Sequence, residues 1–168
     1  MNTNKKNSGY SLVEMVIYVA ILTAISVVTI NMLLSFTKSY QTLEALRVAE
    51  HSGIDTMERI TREVRDSGSV DLALSTLNND YGVLTLISNN GVQKTVKFYT
   101  DNGVVKMNVN GVYFGPLTTV NASTTSFKFR VLNSGISSAV KIDMSVAATI
   151  GTVVKTKNYH STIILRGK

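Results

Sequence analysis

Residues 15–37 form a run of 23 positions without a single charged side chain, opening at Met15 and closing at Thr37. As a helix rising 1.5 Å per residue, the run reaches about 34 Å, against a bilayer hydrocarbon core of about 30 Å. A secretory signal peptide has a shorter apolar stretch, about 7–15 residues, and a small-residue cleavage site beyond it. A buried helix of a soluble protein normally carries a polar stripe over six turns. The run is therefore read as a membrane span. Lys5 and Lys6 precede it and, by the positive-inside rule, place the amino terminus in the cytoplasm and the rest of the chain outside. One carboxylate, Glu14, stands at the edge of the span. A charge there is costly, so it requires a reason.

Beyond the span the pattern stays helical but turns amphipathic. Over 38–66 five basic residues interleave with six acidic ones, and Leu43, Leu46, Met57, Ile60 and Val64 follow steps of three and four, with Glu50 and Gly53 in the intervening slots. That spacing predicts one apolar stripe facing a core. Gly53 costs about 1 kcal/mol relative to alanine inside a helix and marks either a bend or a close approach. Ser67-Gly68-Ser69 reads as the stop, and 67–81 as a polar connection.

From 82 onward the period changes to two. Segments 83–87, 92–99 and 104–109 are joined by Asn89-Asn90-Gly91 and Asp101-Asn102-Gly103, both hairpin signals. Phe127, Phe129 and Val131 alternate with Lys128 and Arg130, and Val140, Ile142, Met144 and Val146 alternate with Lys141, Asp143 and Ser145. The final segment, 153–165, breaks the alternation because Lys157 shares a parity with Tyr159 and Ile163. A bulge or an edge position is expected there. The fold class is α+β: a long amino-terminal helix, half membrane-spanning and half amphipathic, packed on an antiparallel sheet.

The run Gly9-Tyr10-Ser11-Leu12-Val13-Glu14, preceded by a short basic leader and followed by the apolar helix, resembles the processing site of type IV prepilins and pseudopilins. Tyr10 stands where phenylalanine is commonest, and no proline interrupts the span. The resemblance implies cleavage between Gly9 and Tyr10 by a prepilin peptidase, methylation of the new amino terminus at Tyr10, and retention of the helix as anchor and assembly spine. It also implies a role for Glu14, pairing with the terminal ammonium of a neighbouring subunit as each subunit leaves the membrane for a filament. The implied partners are other pilin or pseudopilin subunits, the peptidase, the inner-membrane assembly platform and membrane lipid. In layout the chain is most similar to J-type minor pseudopilins and related minor pilins.

The expected organisation is a cleaved leader over 1–9, a transmembrane and assembly helix over 10–37, and an exported pilin-like domain over 38–168, comprising the amphipathic helix (38–66), the connection (67–81) and a β-rich part (82–168). The competing reading is a bitopic membrane protein whose exported β domain binds a ligand and never enters a filament.

Little in the sequence indicates catalysis. The chain has no cysteine and two histidines, His51 and His160, neither joined by a motif to a nucleophile. No phosphate-binding loop or dinucleotide fingerprint occurs. No enzyme activity, cofactor or metal is expected. From Ser67 onward ten basic residues face four aspartates, a net charge of +6. Such a surface suits nucleic acid, anionic polymer or an acidic partner, but several of these lysines fall on the wet side of strands and aromatic neighbours are few in the sequence, so solubilising charge is the favoured reading.

Overall fold

The computed structural model describes residues 11–88, 93–135 and 137–166. The leader, Gly9, Tyr10 and the Asn89-Asn90-Gly91 turn lie outside the described residues. One helix and eight strands follow in order: α1 (Leu12–Asp66), β1 (Ser69–Val70), β2 (Leu84–Ser88), β3 (Lys94–Asp101), β4 (Val104–Val109), β5 (Val112–Pro116), β6 (Ala122–Asn133), β7 (Ser138–Ile150) and β8 (Val153–Ile164). The helix runs unbroken for 55 residues. The chain falls into two units by packing, one up to Tyr40 and one from Gln41 on.

In the first unit, every described residue from Leu12 to Tyr40 except Glu14 is exposed. The segment holds a window of mean hydropathy 2.3 with none of it buried, and it is long and apolar enough to cross a membrane. Its few hydroxyls turn inward on their own helix. Thr23 Oγ1 donates to Ala20 O (2.8 Å), Ser26 Oγ to Leu22 O (2.8 Å), Thr29 Oγ1 to Ile25 O (2.9 Å), Ser35 Oγ to Asn31 O (2.9 Å) and Thr37 Oγ1 to Leu33 O (3.0 Å). Each hydroxyl proton is thereby satisfied without water, as an apolar surrounding demands.

In the second unit the helix packs on antiparallel strands, the α+β layout consistent with a pilin-like fold. The strands divide between two sheets, ordered β1-β2-β3-β4-β5 and β6-β7-β8, with every strand pair antiparallel. Segment 67–81, read as a polar connection, does more than connect. It contributes β1, and it lies along the free edge of β6: Asn78 N donates to Phe129 O (2.9 Å), Gly82 N to Phe127 O (2.8 Å), and Phe127 N to Asp80 O (2.6 Å). Between the sheets and the helix lie Phe98, Phe127, Phe129, Leu84, Leu86, Met107, Ile142, Met144, Ile60 and Val64, all essentially inaccessible. Phe127 and Phe129 meet edge-on, with centroids 4.4 Å apart.

The helix face differs from the expected stripe. Ile60 and Val64 are buried and Met57 partly so, but Leu43 is 68% exposed and Leu46 only half-covered. The face against the sheet is instead Ala45, Ala49, Ser52, Gly53 and Thr56, all fully or nearly buried. Small side chains bring the helix axis close to the strands, and a leucine stripe would hold it off. Gly53 is a close approach and not a bend. Tyr159 of β8 lies across it, its hydroxyl donating to Ala49 O (3.2 Å) and Glu50 O (3.3 Å). The helix ends where Ser67 Oγ donates to Glu63 O (2.6 Å) and Ser88 Oγ to Asp66 O (2.8 Å), two carbonyls that lack a helical partner.

Of the two explanations for the last strand, the edge is correct: β8 pairs with β7 in unbroken register and has no neighbour beyond it. Its inward-facing Lys155 and Lys157 are charges of the kind that discourage pairing with another chain. The bulges lie elsewhere, at Met107/Asn108 and at Thr124/Ser126. Strand β5 was not expected. Its residues Val112, Tyr113 and Phe114 are apolar in succession and all exposed, so no period of two marks them. The signal that could have found it is Asn110-Gly111, both at positive φ (52° and 80°), which makes a two-residue hairpin turn after Val109.

Candidate functional site

Two regions carry the features singled out in the sequence. The first is the head of α1. Glu14 lies in the first helical turn, where the partial positive charge of the helix amino terminus favours a carboxylate. Its Oε1 accepts a hydrogen bond from the Tyr18 hydroxyl at 3.0 Å, one turn on. Glu14 is thus held on the helix surface by a neutral donor, and among the described residues its second oxygen has no hydrogen-bond partner. Met15 and Thr37, the bounds of the uncharged run, lie inside a helix that continues past both.

The second region is the charged surface of the strand-rich unit. Glu63 is the most deeply buried carboxylate there. It is held by Arg59 (2.9 Å) and by Lys94 of β3 (2.7 Å), so an ion triad ties the helix to the five-stranded sheet. Arg59 also lies over the Phe114 ring, 5.1 Å from its centroid. Across the three-stranded sheet Asp143 joins Arg130 (2.6 Å) and His160 Nδ1 (2.7 Å), and Asp80 joins Lys128 (3.0 Å). His51 joins Asp55 (2.6 Å) on the helix. Several of the basic side chains counted in the sequence are therefore already paired within the domain, with the aspartates that the net charge already counts and with Glu63. Among the described residues no three His, Asp or Glu side chains gather as metal ligands would.

The hydrogen bond from Arg130 is the main influence holding Asp143 below the ordinary carboxylate range, aided by His160 and opposed by partial burial. The Lys128 hydrogen bond does the same for Asp80. Both groups bind protons more weakly folded than unfolded. Their contribution to stability is present above the unfolded carboxylate range, near pH 4, and is lost as pH falls through the depressed values. Thermal unfolding followed from neutral pH to pH 2 is expected to show an acid limb that Asp143→Asn flattens. An unchanged limb would mean that the pair contributes nothing. At the other extreme, burial and the nearby Glu50 raise the Tyr159 phenol. It remains a protonated donor to the helix carbonyls until well into alkaline pH, and stability declines as pH rises above about 10.

Sequence reasoning missed one arrangement here. Aromatic neighbours of the lysines come from two sources, the next residue but one on the same strand and the strand paired beside it. Lys97 Nζ lies 5.7 Å from the Tyr99 ring centroid, and Lys106 Nζ lies 5.9 Å from that of Tyr113. Comparison of the chain with protein-family models, with curated proteins and with solved structures finds no match.

Proposed function

We propose that this chain is a prepilin-type subunit, a minor pilin or pseudopilin, inserted in the membrane as a precursor, cut after Gly9 and polymerised through α1 into a pilus or pseudopilus. The observation that carries the reading is the pairing of a fully exposed apolar helix with a carboxylate at its head. An anchor alone needs the apolar surface and gains nothing from Glu14. A spine that moves from lipid into a bundle of like helices needs both: apolar sides for lipid and then for neighbours, and one charge that is neutralised when a second subunit's new amino terminus arrives. The inward-turned hydroxyls of the helix support the same reading, since they leave its sides dry in either surrounding. The partners in this reading are other pilin-like subunits, the prepilin peptidase, the inner-membrane assembly platform and membrane lipid.

Mass spectrometry of the native protein tests the proposal. The mature chain is expected to begin at Tyr10 and to carry one methyl group on its amino terminus. Gly9→Glu should accumulate as uncut precursor in the membrane. A leader found intact on the native protein favours an uncleaved bitopic anchor and removes the filament reading.

A further inference from the structure

The outer face of the five-stranded sheet, turned away from the core, carries a cluster that the assembly reading does not use. Strand register places Lys97 beside Asn108 and Asn108 beside Tyr113 in one row, with Tyr99 beside Lys106 in the next. Lysines and tyrosines therefore alternate across three strands. Next to them is a cavity of about 560 Å³ whose lining includes Leu74, Gln93, Thr95, Lys97, Asn108 and Asn110. That volume suits a ligand of one or two rings.

Two of the amides in the cavity are oriented by hydrogen bonds. The Thr95 backbone N–H donates to Asn110 Oδ1 at 2.8 Å. A backbone N–H can only donate, so the amide is oriented with its oxygen toward Thr95 and its Nδ2 remains as a donor. The Tyr99 hydroxyl similarly engages Asn108 Oδ1, at 3.4 Å. Lys97 pairs with no carboxylate among the described residues, whereas Lys106 is bound to Asp101 at 2.6 Å. The cavity thus offers amide groups and one cation without a carboxylate partner among the described residues, and strand register puts Tyr99 and Tyr113, the latter 51% exposed, on the same sheet face as its Lys97 and Asn108. The amide and hydroxyl groups of Gln93, Thr95, Asn108 and Asn110 can donate and accept, which matches a ligand rich in hydroxyl groups. A single free cation matches one acidic group. Tyrosine faces match the C–H face of a sugar ring.

We propose that this face binds an anionic carbohydrate, its carboxylate or phosphate at Lys97, its ring and hydroxyl oxygens at Asn108 and Asn110, and one sugar face on a flanking tyrosine. Single-stranded nucleic acid is the poorer fit. Its backbone needs a track of cations, and the next cation on this face is already neutralised by Asp101. The site stands on the geometry of this sheet alone, independent of whether the chain enters a filament.

The test uses the full chain in nanodiscs of zwitterionic lipid, titrated calorimetrically with tetragalacturonate, a phosphorylated mannose oligosaccharide, a neutral galactose oligosaccharide and oligothymidylate. At least one acidic sugar is expected to bind about tenfold more tightly than the neutral one, and which of the two binds identifies the acidic group. Its affinity should fall with salt at a slope of about one ion. Lys97→Glu should weaken it about tenfold without shifting thermal unfolding, Tyr113→Ala should weaken it too, and Lys128→Glu on the other sheet should leave it unchanged. The proposal is overturned by any of four results: no binding of either acidic sugar at millimolar concentration; equal binding of the neutral one; an equal loss in Lys97→Glu and Lys128→Glu; or tighter binding of oligothymidylate with a salt slope of several ions.

Discussion

Replacing Glu14 by alanine is expected to leave the protein cut after Gly9 and resident in the membrane, yet to reduce its recovery in sheared filaments by about two to three orders of magnitude. In the membrane Glu14 is tolerated at the head of α1, where its Oε1 takes the Tyr18 hydroxyl proton and the helix amino terminus favours its charge. Entry into a filament exchanges this edge for a dry interior, in which opposite charges attract far more strongly than in water. Under the proposed assembly, the carboxylate meets a neighbour's terminal ammonium there. Removing one partner of a buried pair strands the other, at a cost of about 3–5 kcal/mol, which sets the expected loss if assembly is near equilibrium. Tyr18→Phe removes one hydrogen bond to the carboxylate, worth about 1.5–2 kcal/mol, and should incorporate within about thirtyfold of the parent protein. The assay compares the three proteins in filament and membrane fractions. Equal incorporation of Glu14→Ala refutes the pairing role, and it is the result expected of a subunit seated at a filament tip, which has no predecessor to pair with.

Gly53→Ala is expected to destabilise the protein by about 2 kcal/mol and to lower its unfolding temperature by about 6–8 °C. The sign is the informative part. In an ordinary helix interior the same change gains about 1 kcal/mol. At position 53 a Cβ would stand 2.7 Å from the Tyr159 hydroxyl oxygen and closer still to ring carbons Cε2 and Cζ. The ring must move, which disturbs packing and breaks its hydrogen bonds to Ala49 O and Glu50 O. Overpacking of this kind costs about 1–3 kcal/mol and the lost bonds about 1 more, against the helix gain. In a Tyr159→Ala background the obstruction is absent, and Gly53→Ala should then raise stability. Thermal unfolding of the four proteins of this cycle in one detergent measures the coupling. A stabilising Gly53→Ala in the parent sequence would show that the ring yields without cost.

The parts of the fold that were legible depend on near neighbours in the chain. The long apolar helix was readable because length and apolarity are properties of consecutive residues. The helix stop at Ser67-Gly68, the turn at Asp101-Asn102-Gly103, and the alternation of β6 and β7 follow from local backbone preference and from the two-residue period of a strand with one wet face. Strand β5 escaped because an exposed edge strand lacks that period. The buried helix face escaped for another reason. Leu43 and Leu46 mark the most apolar side, but the helix turns toward the sheet the side that lets it come closest, and closeness favours alanine, serine and glycine.

The candidate sites divide the same way. Gly9, Tyr10 and Glu14 were found through a motif that a peptidase and an assembly machine would read as linear sequence, so no folding was needed to recognise it. The cluster of Lys97, Tyr99, Lys106, Asn108 and Tyr113 spans three strands and exists only once their register is set. The sequence alone therefore determined the α+β class, the membrane-spanning length of the helix and the place of its single carboxylate, because each is a property of consecutive residues. The tertiary structure alone decided the division into two sheets, the small-residue helix face clasped by Tyr159, the pairing of Glu63 with Lys94, and the meeting of Lys106 with Tyr113, because each joins residues that only strand pairing or tertiary packing brings within a few ångströms of one another.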